Sequence, residues 1–583
     1  MPAGLARRVL LLCLACGLLL FVWQLGSTGL VDETPPLFAA SARAMAQRGD
    51  WLIPHVNGLP RYDKPPLVYW AMAALYALPA QAQWDPLGSW AARLPSALAC
   101  VLVMLTLAST LLRWPQARRR TAFTALSAAL AFGLSPLVLL WGRIAVSDAL
   151  FSGCLAISLL LSWRCYARGG LRWWWSWLLL GLAVLAKGPV ALVLAALTLL
   201  GFGWWQRDLV GLRRALRPLP GLALSLAVAV PWYALAWWRE GEPFWRSFFG
   251  YHNLQRFSSV VNGHQAPWWF FLLMLVIASL PATPLLLLGL VRGLRGAPQP
   301  PALSLQRFAA CWLLAVLLFF TAAATKLPSY WLPATPAAGL LIALAAQRGA
   351  WVAWRLMVLL LAVLAAGLAL APRWLPLIEA ADMPGLGPAL LASGRLGWAA
   401  GCFALAAVLA LLLGWRRGQP AALLAMQLPL LAFVPLVLLP LADLGDRLRA
   451  EPVRRLAAVA RPSREPLAMV GILKPSLHFY AQRVVLYEGA GPTGLLNLSD
   501  RLAREVRDGQ RPSAPTAGST VLLVIDGVTA AEPHWRALRP QWLGQAGIYQ
   551  LWRLDRAQLA QQAALLQHRG LRADWQDPRP ERY

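Results

Sequence analysis

Residues 9–26, VLLLCLACGLLLFVWQLG, carry no charge, follow Arg7 and Arg8, and lead into TGLVDETPP at 28–36. A run this long and apolar crosses the ~30 Å hydrocarbon core of a bilayer as one helix. No A-x-A-like cleavage pattern follows it, so it reads as an uncleaved first helix that starts in the cytoplasm. Further runs of spanning length lie near 86–112, 121–141, 149–166, 173–189, 190–206, 219–238, 267–291, 306–324, 329–347, 352–371, 396–414 and 420–441, many bounded by Gly, Pro or Trp. The pattern predicts a polytopic α-helical membrane protein with about thirteen spans.

Composition agrees with that reading. Of 583 residues, 59% are hydrophobic and 13% charged, about half the charged share of a soluble domain. So few charges leave too little polar surface to cover the core of a wholly soluble chain. The net charge of +28 would suggest nucleic acid in a soluble protein, but its distribution says otherwise. Counting alternate loops from a cytoplasmic start, the inner loops hold Arg113 with Arg118–Arg120, Arg164 with Arg168 and Arg172, Arg207 with Arg213, Arg214 and Arg217, Arg292 with Arg295, Arg348, and Arg416 with Arg417. These clusters follow the positive-inside rule, and no nucleic-acid partner is expected.

An odd number of spans places the tail outside the membrane, dividing the chain into a membrane domain, 1–441, and a soluble extracytoplasmic domain, 442–583. In the tail, LAMVGI (467–472), RVVLYEG (483–489), TVLLVID (520–526) and GIYQLWRL (547–554) have strand character, and 475–482 and 498–508 read as helices, predicting a small α/β fold. It shows no phosphate-binding glycine loop. All seven cysteines fall in or beside predicted spans, where they serve as small packing residues rather than disulfides or a zinc site.

The ionisable residues that cytoplasmic anchoring leaves unexplained collect on the outer side. The first outer loop, 28–85, carries Asp32, Glu33, Asp50, Asp63 and Lys64, two amphipathic stretches suited to the interface, and Trp51, Tyr62, Tyr69 and Trp70 at headgroup depth. Asp148, in WGRIAVSDAL, opens a later span in company with Arg143. Carboxylates and cations converging on one membrane face make a candidate polar active site.

The run VDETPPLFAASARAMAQRGDWLIPHVNGLPRYDKPPLVYW resembles the first periplasmic loop of bacterial glycosyltransferases related to the protein O-mannosyltransferases and the lipid A aminoarabinose transferases. GRIAVSDAL, LAKGPVAL, FFGYHNLQRF followed by PWWFF, and KLPSYWLPATPA support the resemblance in the same order, together covering about 30–340. It implies a GT-C fold with interfacial helices in the first outer loop, an inner-membrane location in a bacterium, and a polyprenyl (undecaprenyl) phosphate sugar as donor. It also implies that Asp32 is the acidic residue such enzymes need after the first helix. Asp63 and Lys64 match an acidic-Lys-Pro motif, Asp148 a further functional aspartate, and Asp63 with His252 a metal-contacting pair of some relatives. A possible divalent metal ion is the one cofactor implied. In the aminoarabinose transferases an Arg follows D-E-T, whereas Pro35 and Pro36 stand here, so that relative's donor and acceptor do not carry over directly.

Transfer from a polyprenyl phosphate needs cations on the departing phosphate and an aligned acceptor. Lys64, Arg256 and Lys326 are the candidate phosphate contacts, with Glu33 and Tyr330 as further substrate-binding residues and Asp32 and Asp148 as catalytic ones. Asp32 would orient or deprotonate an acceptor hydroxyl. A one-step displacement inverts the anomeric carbon, and the acceptor is a lipid A-like molecule, another glycolipid or a protein. The competing expectation, a lipid or solute transporter or flippase, puts ionisable residues near the membrane midplane; here they sit at one surface.

Overall fold

The computed structural model describes residues 3–30, 33–117, 120–169, 172–260, 265–378, 380–417, 419–508 and 519–576. Among the described residues nine helices are long and apolar enough to cross a membrane, and a bent pair would make ten. Helix α1 (Ala3–Gly17) continues through one π turn to Val22. The first loop then builds α2 (Pro35–Arg48), a hairpin of β1 (His55–Val56) and β2 (Leu59–Pro60), and α3 (Leu67–Tyr76). Phe38, Ala39, Ala42 and Met45 of α2 meet Tyr69, Met72 and Ala73 of α3 in a small core of their own.

The bundle continues with α4 (Ser89–Arg113), α5 (Thr121–Gly133), α6 (Ser147–Arg168), α7 (Trp174–Lys187), α8 (Val190–Gln206) and α9 (Pro218–Glu240). Next come α10 (Phe270–Ser279) and α11 (Thr283–Leu294), bent by 113° across their break, where Pro281 and Pro284 interrupt the backbone ladder. Helices α12 (Leu305–Ala322), α13 (Thr335–Ala345), α14 (Trp351–Ala369), α15 (Arg395–Arg417) and α16 (Gln419–Phe433) complete the bundle. Three of the expected spans are shorter than the sequence pattern suggested: α5, α7 and α8 have 13, 14 and 17 residues. At ~1.5 Å per residue each falls short of a ~30 Å core. Gly188 at φ +112° and Pro189 separate α7 from α8, and Pro136 cuts 121–141 after α5. Hydropathy runs through these breaks because the flanking residues stay apolar. The chain is a multi-pass membrane protein, and its helices pack closely through small residues: a Cβ on Gly339 of α13 would meet the Ala128 carbonyl of α5 at 2.8 Å. All seven cysteines are free.

Helix α17 (Leu439–Arg449) extends α16 beyond the apolar bundle and turns into α18 (Glu451–Ala460). Five strands follow: β3 (Leu467–Val470), β4 (Val485–Glu488), β5 (Thr520–Asp526), β6 (Gln541–Ala546) and β7 (Tyr549–Asp555), in the order β4-β3-β5-β7-β6. The β3 pairings with β4 and β5 are parallel, and those of β7 with β5 and β6 antiparallel. Helices α19 (Ser476–Ala481), α20 (Pro492–Asp508) and α21 (Arg556–His568) complete the unit. The four strands read from sequence are present; β6 is an addition, an exposed edge of sequence QWLGQA without alternation. Helix α19 packs against the first loop. Asn57 and Val485 exchange two hydrogen bonds of 2.8 Å, and the Asn57 amide donates to His478 Nε2 at 3.1 Å.

Candidate active site

The segment RYDKPP (61–66) enters α3 through two prolines and buries its charges beneath α2. Arg61 holds Asp63 in a two-pronged contact, Nε and Nη2 donating at 2.7 Å each, while the Tyr69 hydroxyl donates to Asp63 Oδ1 at 3.0 Å. The Lys64 ammonium donates to the Asp63 carbonyl at 2.8 Å and lies 4.0 Å from its carboxylate. Burial alone would raise the Asp63 carboxyl, but Arg61, Lys64 and His252 together hold it well below the usual carboxylate range. Burial pulls Lys64 down; Asp63 opposes this and Arg256 and Lys187 add to it, leaving the ammonium at about 8.

Three further segments meet this loop. Asp148, in the first turn of α6, accepts from Lys187 Nζ at 2.5 Å and also from Ser329. Lys187 closes α7 and lies over the Tyr330 ring at 4.8 Å and the Phe151 ring at 5.4 Å. Backbone bonds from Ala324 to Phe257 (2.9 Å) and from Thr325 to Arg256 (3.3 Å) lay the 323–326 stretch beside 256–257, so Lys326, which donates to Ala323 O at 2.8 Å, stands next to the Arg256 backbone. His252 is buried in the π-helical turn Arg246–Gln255. Its imidazole is lowered to about 3 by burial and by Lys64, partly offset by Asp63, so it is neutral at physiological pH. Among the described residues of the cluster, four cations, Arg61, Lys64, Lys187 and Arg256, face two carboxylates, Asp63 and Asp148. A buried positive surplus at one end of a helical bundle is suited to a phosphate group.

Of the residues expected from sequence, Asp63, Lys64, Asp148, His252, Arg256 and Tyr330 come together, with Lys326 alongside. Glu33 is exposed. Asp32 lies outside the described residues. Arg143 points elsewhere than expected: it donates to Leu20 O and Trp23 O at 2.8 Å, closing the C-terminal end of the first helix instead of accompanying Asp148. Lys187 was the residue sequence reasoning missed, although a lone cation in LAVLAKGPVAL is a signal of its own; Arg61, Tyr69 and Ser329 were missed with it. A divalent cation does not fit the expected pair. Arg61 and Tyr69 already occupy the Asp63 carboxylate, and no group of three or more His, Cys, Asp or Glu side chains that could hold a metal occurs among the described residues.

A cavity of about 630 Å³ adjoins the same chain segments. Thr28 and Gly29, just before Asp32, and Ile144, just before Asp148, line it; Leu139, Phe403 and Phe433 form part of its apolar wall, and Arg93, Asp446 and Arg449 stand at its polar side.

Similarity to known proteins follows the same division of the chain. The family of dolichyl-phosphate-mannose-protein mannosyltransferases matches residues 63–237, and the C-terminal domain of cyanobacterial RgtA-type glycosyltransferases matches 460–570. Undecaprenyl phosphate-alpha-4-amino-4-deoxy-L-arabinose arabinosyl transferases of Pseudomonas paraeruginosa and Pseudomonas aeruginosa are 32% and 34% identical to it over 333 and 332 residues, covering 55% of this chain and 56% of each relative. The chain thus spans a little over half the length of the curated relatives it matches. The fold agrees over far more: ArnT from Cupriavidus metallidurans, solved bound to undecaprenyl phosphate, superposes with a TM-score of 0.75 at 23% identity, covering 95% of this chain and 98% of that one. Its apo form gives 0.71. The chain is thus similar to the dolichyl-phosphate-mannose-protein mannosyltransferases over 63–237 and to the RgtA-type glycosyltransferase C-terminal domain over 460–570, and it shares the fold of ArnT almost end to end.

Proposed function

We propose that the protein transfers a sugar from a polyprenyl (undecaprenyl) phosphate donor to a lipid acceptor, lipid A-like or another glycolipid, at the outer face of a bacterial inner membrane. In this reading the N-terminus is cytoplasmic, the membrane domain is 1–441 with its first outer loop at 28–85, and 442–583 lies in the periplasm. The observation that carries it is the half-buried cation surplus of Lys64, Lys187 and Arg256 at one end of the bundle. A transporter would need such groups near the midplane.

The donor phosphate sits among Lys64, Arg256 and Lys187, with Lys326 and Tyr330 at its edge and the polyprenyl tail in the bilayer. The acceptor lipid enters the amphipathic cavity beside Thr28 and Gly29 and meets Asp32. In the reaction the bond between the anomeric carbon and the phosphate oxygen breaks, its electron pair going to the phosphate, where the cations stabilise the departing charge. The acceptor oxygen forms its bond from the opposite side, which inverts the centre. An acceptor hydroxyl gives its proton to Asp32; an acceptor phosphate, already anionic, is only positioned by it. Asp148 holds Lys187 in place beside the donor phosphate. With donor present, Lys64→Ala should abolish release of free polyprenyl phosphate in membranes while leaving expression intact; undiminished release would remove the cation cluster from the donor site.

A further inference from the structure

The segment that leads into Asp32 is gripped from both sides, and one side belongs to the elements beyond the membrane bundle. From the bundle, Arg93 of α4 donates Nη1 to Leu25 O at 2.8 Å and to Thr28 O at 3.0 Å, and Nη2 to Gly29 O. From outside, the Gly29 amide donates to Asp446 Oδ1 and the Leu30 amide to the Tyr480 hydroxyl, at 2.9 Å each. Arg454 of α18 fixes the outer grip. It donates to both Asp446 oxygens at 2.7 and 2.6 Å and lies over the Tyr480 ring at 5.7 Å. The fit leaves no room for a side chain: a Cβ at position 29 would fall on the Arg454 guanidinium. Tyr480 is itself held, because α19 is docked through Arg43, which lies 4.0 Å over the Phe479 ring and donates to Phe479 O, and through the Asn57–Val485 exchange.

The geometry points to Tyr480, Arg454 and Asp446 as positioning residues that set the backbone before Asp32, giving the extracytoplasmic unit a direct part in transfer. This rests on the proposed role of Asp32. Backbone amides need acceptors when buried, and both amides leading into Asp32 draw theirs from this outer grip. Removing one loosens the backbone at Gly29 and Leu30, while the donor cations, Lys64 before α3, Lys187 at the end of α7 and Arg256 after the π-helical turn, stay where they are.

The test is full-chain protein in membranes or nanodiscs, assayed with a polyprenyl-phosphate sugar and a glycolipid acceptor. Tyr480→Phe removes the acceptor of the Leu30 amide, and Gly29→Ala drives a Cβ against the Arg454 guanidinium and the Tyr480 hydroxyl. Both should lower kcat by about ten- to a hundredfold, the cost of a misplacement near 1 Å, with the donor KM unchanged. Arg455→Ala, at an exposed neighbour on α18 paired with Glu451, should leave turnover unchanged. Wild-type kcat in both Tyr480→Phe and Gly29→Ala, or a loss spread equally over kcat and donor KM, overturns the inference while Asp32→Asn remains inactive. Full turnover in Asp32→Asn overturns the role of Asp32 and the inference together.

Discussion

Replacing Lys187 by Met separates what the Lys187–Asp148 pair does for the fold from what it does for the substrate. The two side chains meet at 2.5 Å and keep 12% and 15% of their exposure. Breaking such a buried pair leaves a charge without its partner, at a cost of about 3–5 kcal/mol. Ser329 still reaches Asp148 and Lys64 remains near it, which places the expected loss at the lower end, about 3 kcal/mol. The double variant Lys187→Met with Asp148→Leu removes both charges, and replacing a buried pair by apolar groups is about neutral. Thermal unfolding of detergent-solubilised protein should therefore show a marked drop in midpoint for Lys187→Met and recovery in the double variant. Turnover should not recover, because the donor phosphate has lost a cation. A double variant as active as wild type would refute Lys187 as a phosphate contact, and an unchanged midpoint in Lys187→Met would refute the buried pair.

Lys64, lowered to about 8 by burial, carries its charge below that pH and loses it above, so donor affinity should weaken by up to about tenfold per pH unit beyond 8. Lys64→Arg, which stays charged, should be flat over the same range when donor binding is measured by titration; a flat wild-type curve would contradict the assignment. Asn57→Ala deletes two buried bonds of 2.8 Å to Val485, at about 1–3 kcal/mol for each group left unsatisfied, and should speed protease cleavage between α17 and β3; an unchanged digestion pattern would show that this contact does not hold α19. Because the Asp63 carboxylate is already engaged by Arg61 and Tyr69, prolonged chelation should leave turnover intact, and a loss restored by a divalent cation would contradict that.

Hydropathy located the membrane segments because lipid-exposed and buried faces are both apolar, but that same uniformity hid the breaks at Pro136 and at Pro281. The carboxylates beside the spans were legible because a charge at that place has few structural excuses. Lys187 was harder to see, since a cation ending a helix also reads as an anchor. Its partner Asp148 is a neighbour only through packing of α6 on α7. The grip of Tyr480 on Leu30 was illegible, because it joins positions 450 residues apart and a tyrosine in SLHFYA has no local mark of it. The edge strand β6 escaped for the opposite reason, having one neighbour and an exposed face with no pattern to impose.

The most direct test follows the donor itself. Purified protein in sealed vesicles receives a polyprenyl-phosphate sugar labelled in both parts, together with a lipid acceptor. One free polyprenyl phosphate should appear for each sugar found on the acceptor with inverted anomeric configuration, and neither should appear with Asp32→Asn. Intact donor carried across the vesicle membrane without cleavage would contradict it and identify a transporter.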